Sequence, residues 1–207
     1  MFHMSKQAGA PAGDAPQHCH SAEEAPRYRR EQLVARIRHI SFVRALQHAG
    51  VAAEHLPVTA PLCGELLVTY VFELPDSTIS ASPALLEESG IAPAELATLA
   101  RANLRAALPE PQFFAQDRCA LAYTGDAPEA VLLLVDSLWD EMQANFVGQI
   151  VASVPRRDRL LVCDSADSGA VERLRAQTLA FFGEPDESHA LSTQLMVRRG
   201  GGWTLFA

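Results

Sequence analysis

The side chains best suited to chemistry lie in a charged turn, Arg156-Arg157-Asp158, between two apolar runs. Residues 149–164 read QIVASVPRRDRLLVCD. Guanidinium groups bind carboxylates and phosphates through paired N–H donors, so this turn is a candidate site for a small anion or a partner's backbone. The same residues also fit an architectural turn, because Asp accepts hydrogen bonds from turn amides and pairs with Arg. Both interpretations stay open.

Other candidate residues depend on where the fold places them. Tyr70 and Arg198 are candidate binding residues if a pocket joins them to the charged turn. Asp136 and Asp140 are spaced four apart on a predicted helix, but acid–base catalysis would need one of them buried. Their place on the polar side of that helix favours a solvated face.

Catalytic motifs are missing from the sequence. It contains no H-E-x-x-H, G-x-S-x-G, phosphate-loop or G-x-G-x-x-G pattern. The glycines at 200–202 lack the downstream helix and the Lys-Ser/Thr pair of a phosphate loop. The sequence therefore identifies no catalytic residue, no metal and no cofactor, and it leaves enzymatic activity undecided, with a non-enzymatic role favoured.

Residues 1–26 are rich in Ala, Pro, Gly and Gln, and they show no hydrophobic periodicity. Such a segment buries too little apolar area to offset its ordering entropy, so we expect a flexible tail. His18, Cys19 and His20 have the donors for a soft or borderline metal ion, but adjacent ligands do not give the spacing of a structural zinc site. A solvated tail that binds metal adventitiously is the alternative.

Charge and composition narrow the class of protein. The net charge of −8 argues against general nucleic-acid binding, which needs a surplus of Lys and Arg. The longest apolar runs fall far short of the ~20 residues that cross a bilayer, and the N-terminus lacks a secretory pattern. These features predict a cytoplasmic protein without a membrane segment.

The cysteines form no C-x-x-C pair, and we expect free thiols that act as small hydrophobes.

An arginine-rich segment follows the tail. Residues 27–49 carry six arginines against one glutamate, while residues 51–207 are strongly acidic. Leu33, Ile37, Ile40 and Val43 recur at spacings of three and four, which predicts a helix over 27–49. Its basic face would lie along the acidic body, stand in water or bind an acidic partner.

The rest of the chain alternates strand and helix patterns. Strands are predicted at residues 66–74, 119–124, 150–154, 159–164, 192–199 and 203–206, and helices at 83–89, from 93 to about 108, from 129 to about 145 and from about 168 to 182. The predicted fold is α+β, with a mainly antiparallel sheet of five to six strands packed with four to five helices. We expect one domain over residues 27–207.

Several stretches together resemble a known family. In chain order they are LLVTYVFELPD, LATLARANLRAAL, EAVLLLVDSLWDEM, IVASVPRRDRLLVCDS and LSTQLMVRRGGGWTLF. They are similar to the YtpQ-like bacterial proteins over roughly residues 43–206. The resemblance implies a compact bacterial cytoplasmic α+β domain with no assigned activity or cofactor.

Three functional hypotheses follow. The first is a non-enzymatic cytoplasmic interaction or regulatory domain that binds an unknown protein partner or a second copy of itself. The second is a hydrolase or transferase that acts on a small anion near Arg157 and Asp158. The third is an acidic, chaperone-like dimer. A small-molecule ligand is compatible with the first two hypotheses, and no nucleic acid or membrane partner is expected.

Overall fold

The computed structural model describes residues 28–125, 128–186 and 189–207, and within these ranges the chain forms ten strands and five α-helices. The predicted tail, including His18, Cys19 and His20, lies outside the described residues. The strands are β1 (Leu33–His39), β2 (Thr59–Cys63), β3 (Leu66–Leu74), β4 (Ser77–Ser80), β5 (Gln112–Gln116), β6 (Cys119–Tyr123), β7 (Ile150–Arg156), β8 (Arg159–Asp164), β9 (Met196–Arg199) and β10 (Gly202–Leu205). The helices are α1 (Ser41–His48), α2 (Pro83–Glu88), α3 (Pro93–Ala107), α4 (Asp136–Met142) and α5 (Ser168–Phe182).

The strands form two antiparallel sheets, which confirms the α+β prediction. The six-stranded sheet has the order β10-β9-β7-β8-β6-β5 and contains five of the six predicted strands, while the sixth, at 66–74, is β3 and lies in a separate sheet. A second sheet has the order β1-β3-β2, with β4 also paired to β3. The sequence did not indicate this second sheet, because β1 lies in the segment expected to be helical and β2 contains Pro61. Proline is tolerated in β2 because this strand forms one edge of the sheet.

Residues 149–164 form the hairpin that the sequence predicted. β7 pairs with β8 from Ile150↔Asp164 to Arg156↔Arg159, and the register shifts near the turn. β8 also pairs with β6, so it lies inside the sheet. Its central residues 160–163 are all buried, as expected for an apolar run without alternation.

The helix predicted over residues 27–49 was wrong. The segment divides into β1 and the shorter helix α1. Leu33 and Ile37 are four residues apart, a spacing that places two side chains on one face of a helix and also on one face of a strand. In the folded chain Leu33, Ala35 and Ile37 alternate into the core, which is the two-residue period of a strand.

The long helix predicted from residue 129 is also interrupted. Residues Glu129–Leu134 form a 3₁₀ segment that is buried throughout, and α4 begins only at Asp136. The indole N–H of Trp139 donates to the carbonyl of Leu132 at 2.7 Å, and that of Trp203 donates to the carbonyl of Leu133 at 3.0 Å. These two carbonyls therefore accept side-chain N–H groups, and that of Leu132 also accepts from the backbone N–H of Val135 at 3.0 Å.

Two hydrophobic clusters hold the elements together. The larger cluster contains side chains from both sheets, from α3 and from the 3₁₀ segment, and Trp139 is fully buried within it. The smaller cluster packs α5 against the other face of the six-stranded sheet. Cys63, Cys119 and Cys163 are buried free thiols, as their apolar neighbours predicted.

Candidate anion-binding site

A cavity of about 570 Å³ opens between the four-stranded sheet and the turn of the β7–β8 hairpin. Its charged lining consists of Arg36, Arg38, Arg157 and Glu73. The four-stranded sheet, the end of α3 and residues near the 3₁₀ segment supply apolar walls, including Val34, Val71, Leu104, Leu108, Pro128 and Val131. We call this space the arginine cavity. Its volume falls in the range of about 300–1,000 Å³ typical of small-molecule sites.

Strand alternation places two of the arginines. The side chains of Leu33, Ala35 and Ile37 enter the core, so Arg36 and Arg38 project from the opposite face of β1. On the neighbouring strand, Val71 lies directly across from Val34, and Glu73 forms an ion pair with Arg36. The four-stranded sheet is therefore apolar on its core face and carries cations on its cavity face.

The third arginine comes from the charged turn. The backbone N–H of Arg157 donates to the carbonyl of His189 at 2.8 Å, and the carbonyl of Arg157 accepts from the N–H of Ala130 at 3.0 Å. These bonds tie the turn to the 3₁₀ segment and to the chain near residue 189. Arg157 therefore reaches the arginine cavity from a backbone that is fixed on both sides.

The arginines act on one another electrostatically. Burial, with the neighbouring charge of Arg38 as the second cause, lowers the pKa of Arg36 to about 10. Burial also lowers the pKa of Arg38, with Arg157 as the second cause. Removing water from like charges destabilises their charged forms, so an anion entering this cavity would relieve the repulsion.

A smaller cavity of about 340 Å³ adjoins the first and shares Arg157 and Pro128 with it. Asp158 lines this smaller cavity, together with Glu129 and His189. Glu129 is buried, and burial raises the pKa of its carboxyl group. The Asp158 Oδ1 atom lies 3.7 Å from His189 Nδ1 and 3.5 Å from Arg156 Nε.

The five predicted site residues therefore do not lie in one site. Of the five, Arg157 lines the arginine cavity and Asp158 lines the adjoining one. Arg156 is buried beside Asp158, Glu184 and Asp186, with closest distances of 3.5 to 3.8 Å. Tyr70 belongs to the core, where burial raises its pKa.

Arg198 also lies away from both cavities. Its side chain is buried over the ring of Trp203 and forms ion pairs with Asp136 at 2.9 Å and Asp140 at 3.3 Å. These two carboxylates of α4 were expected on a solvated face, and they remain more than half exposed while binding Arg198. This cluster fixes α4 to the β9–β10 hairpin.

Sequence reasoning did not select Arg36, Arg38 and Glu73 as site residues. The missed signal was the alternation in Leu33-Val34-Ala35-Arg36-Ile37-Arg38, where a strand places both arginines on the face opposite the apolar residues.

Within residues 28–125, 128–186 and 189–207, no cluster of three or more His, Cys, Asp or Glu side chains is arranged to hold a metal ion. In the same part of the chain, no helix has the length and apolar character needed to span a membrane.

Fold and cavity together define an antiparallel α+β protein with an arginine-lined pocket. Over 124 residues the chain is 32% identical to a UPF0354 protein of Shouchella clausii (strain KSM-K16). The match covers 58% of this chain and 46% of the relative, so it spans less than half the length of that protein. No family model matches the chain, and no solved structure matches it. The similarity points to an uncharacterised bacterial family and assigns no function.

Proposed function

We propose that the arginine cavity gives the chain a non-catalytic regulatory or interaction role by binding an anionic small molecule. The observation that carries this proposal is the convergence of Arg36, Arg38 and Arg157, from two different sheets, on one cavity. Burial and mutual repulsion lower the pKa of the first two arginines, which favours a bound negative charge.

The cavity also indicates the shape of the ligand. Val34 and Val71 are cross-strand neighbours on the cavity face, and Leu104 and Leu108 face them from the end of α3. A carboxylate or phosphate would pair with the guanidinium groups, while an attached apolar chain would contact these side chains. The ligand class is therefore an amphiphilic acid of small to moderate size.

Octanoate is a suitable probe for the proposal. We expect isothermal titration calorimetry to show octanoate binding to the full chain, and Arg38→Met to weaken it at least tenfold because the substitution removes charge and retains apolar length. Glu73→Gln should strengthen binding, since Glu73 competes with the ligand for Arg36. Arg175→Met, at an exposed position of α5, is the matched control and should leave the affinity unchanged.

Two results would reject the proposal. One is equal octanoate affinity in the wild type and in Arg38→Met. The other is equally tight binding of 1-octanol, which has the same chain length without the negative charge. Circular dichroism of each variant checks that a loss of binding is not a loss of fold.

Family and location are also proposals. The five stretches that resemble the YtpQ-like proteins, and the 32% identity with the UPF0354 protein, support membership of that family. The same resemblance implies a cytoplasmic location. A structure of the S. clausii protein with a different sheet order would contradict the family assignment, and cell fractionation tests the location.

A further inference from the structure

A third cavity, of about 730 Å³, contains a serine, a histidine and a glutamate in close contact. Its lining includes Ser41, His39 and Glu65, and it shares no residue with the lining of the arginine cavity. Ser41 Oγ lies 2.8 Å from His39 Nδ1, and His39 Nε2 lies 3.3 Å from a carboxylate oxygen of Glu65. We propose that these residues form a hydrolytic site in which Ser41 is the nucleophile.

The hydrogen bonds define which ring nitrogen carries the proton. The backbone N–H of Ser41 also points to His39 Nδ1, at 3.2 Å, so Nδ1 is an acceptor. The proton of the neutral ring therefore lies on Nε2, which is 3.3 Å from a carboxylate oxygen of Glu65. In this tautomer Nδ1 can take the proton of the Ser41 hydroxyl, as a general base must.

The glutamate is held from a separate part of the chain. The hydroxyl of Ser192 donates to Glu65 Oε1 at 2.5 Å, and the backbone N–H of Glu65 donates to the side chain of Gln194 at 3.2 Å. Residues 192 and 194 precede β9, whereas Ser41 and His39 flank the junction of β1 and α1. The arrangement thus joins three chain segments, and Glu65 acts as a positioning residue for His39.

Helix α1 begins at Ser41, so the reacting hydroxyl lies at the N-terminus of an eight-residue helix. The amides of Phe42 and Val43 lie in the first turn, where helix geometry provides no carbonyl partner. Such amides can donate to a developing oxyanion beside Ser41.

The remaining walls indicate the substrate class. Phe182, Pro185 and Leu191 are apolar, and Glu184 adds a negative charge at the same cavity. An acidic rim disfavours anions, so the site suits a neutral carboxylic ester with an apolar acyl chain.

The reaction is an ordinary two-step ester hydrolysis. Ser41 Oγ attacks the ester carbonyl carbon while its proton passes to His39 Nδ1. The bond from that carbon to the alcohol oxygen then breaks, and the alcohol leaves with the proton from Nδ1. Water, giving its proton to Nδ1, attacks the acyl group on Ser41. The acid is released as that proton returns to Ser41 Oγ, so one ester and one water yield one acid and one alcohol.

An alkyl fluorophosphonate tests the nucleophile on the full chain, because it forms a phosphorus–oxygen bond to an activated serine and releases fluoride. We expect one adduct, located at Ser41 by peptide mass spectrometry, and none in Ser41→Ala. Ser168→Ala is the matched control, since Ser168 is an exposed serine at the start of α5, where Asp167 caps the helix. This control should label like the wild type.

The base and the positioning residue have separate readouts. His39→Asn retains an acceptor for the start of α1 but removes the base, and it should slow labelling about 100-fold. In Glu65→Gln the labelling rate should fall, and Glu65→Asp, which keeps the carboxylate, should restore part of it. The wild type should also hydrolyse 4-nitrophenyl butyrate with an initial burst.

An unlabelled wild type, or an adduct on a serine other than Ser41, would overturn the hydrolytic site. Undiminished labelling in His39→Asn would overturn it as well. Octanoate binding depends on other residues, so none of these results would contradict the proposed anion binding in the arginine cavity.

Discussion

At the scale of single residues, burial shifts the pKa of Glu129, which lines the smaller of the two adjoining cavities. Glu129 is buried in the 3₁₀ segment, where Thr124 donates its backbone N–H to the carboxylate at 3.4 Å. That weak bond does not offset the loss of water, and the pKa of Glu129 is raised mainly by burial, with Asp158 contributing in the same direction. The folded chain therefore holds the proton of Glu129 more tightly than the unfolded chain does.

This difference predicts a pH-dependent effect of Glu129→Gln. The protonated carboxyl group of Glu129 contributes fully to the free energy of unfolding below its ordinary pKa of 4.5. This contribution is lost as pH rises through the higher pKa that Glu129 has in the folded chain. Glutamine does not ionise and keeps an acceptor for Thr124. The variant should therefore gain stability relative to the wild type on going from pH 4 to pH 7.5, as measured by urea unfolding.

Glu172→Gln, at an exposed position of α5, is the control for Glu129→Gln. It removes a solvent-exposed carboxylate, so its effect on the free energy of unfolding should be small at both pH values. A stability difference for Glu129→Gln that is the same at both pH values would contradict the argument.

At the scale of elements, local patterns predicted most strands and helices, and the errors have physical causes. The β7–β8 hairpin, α3 and α5 follow from apolar periodicity, capping residues and turn residues, all of which are local. β1 was misread because Leu33 and Ile37 satisfy helical and strand periods at once. The choice between the two periods is made by β3, which pairs with β1 over seven residues and is distant in sequence.

The same limit applies to the arginine cavity. The charged turn could be selected from sequence, since its type and spacing are local features. Arg36 and Arg38 join Arg157 only after two sheets have come together, and no local pattern encodes that contact. Tyr70 and Arg198 were selected for their chemical type, but the fold uses one in its core and the other as an anchor for α4.

The 3₁₀ segment gives a prediction at this scale. Trp139→Phe retains an aromatic ring but leaves the buried carbonyl of Leu132 without its indole donor. The Leu132 carbonyl still accepts from the N–H of Val135 at 3.0 Å. The variant therefore loses one buried hydrogen bond and the packing of the larger ring, and we expect urea unfolding to show a loss of about 2 kcal/mol. Phe114→Leu, at an exposed position of β5, should cost less than about 0.5 kcal/mol. A loss of that small size in Trp139→Phe would show that the indole N–H does not hold this segment.

At the scale of the whole molecule, the two proposed sites depend on whether both sheets fold as one unit. The larger hydrophobic cluster includes Phe72 of the four-stranded sheet, Ile150 of the six-stranded sheet and both tryptophans. The side chain of Gln194 adds a polar link, because it donates to the carbonyl of Cys63 at 2.9 Å. A shared core of this kind favours a single cooperative transition, which is the expectation for one domain over residues 27–207.

Buried thiols can test this cooperativity sheet by sheet. Cys63 belongs to the four-stranded sheet, while Cys119 and Cys163 belong to the six-stranded sheet. Burial raises the pKa of each thiol, that of Cys163 to about 12, so none should react with iodoacetamide in the folded state. In sub-denaturing urea each thiol reacts only when its sheet opens. If the chain is one domain, mass spectrometry should give the same opening free energy for all three cysteines, equal to that of global unfolding. A lower value for Cys63 alone would mean that the four-stranded sheet opens independently, and the arginine cavity would then be lost before the rest of the fold.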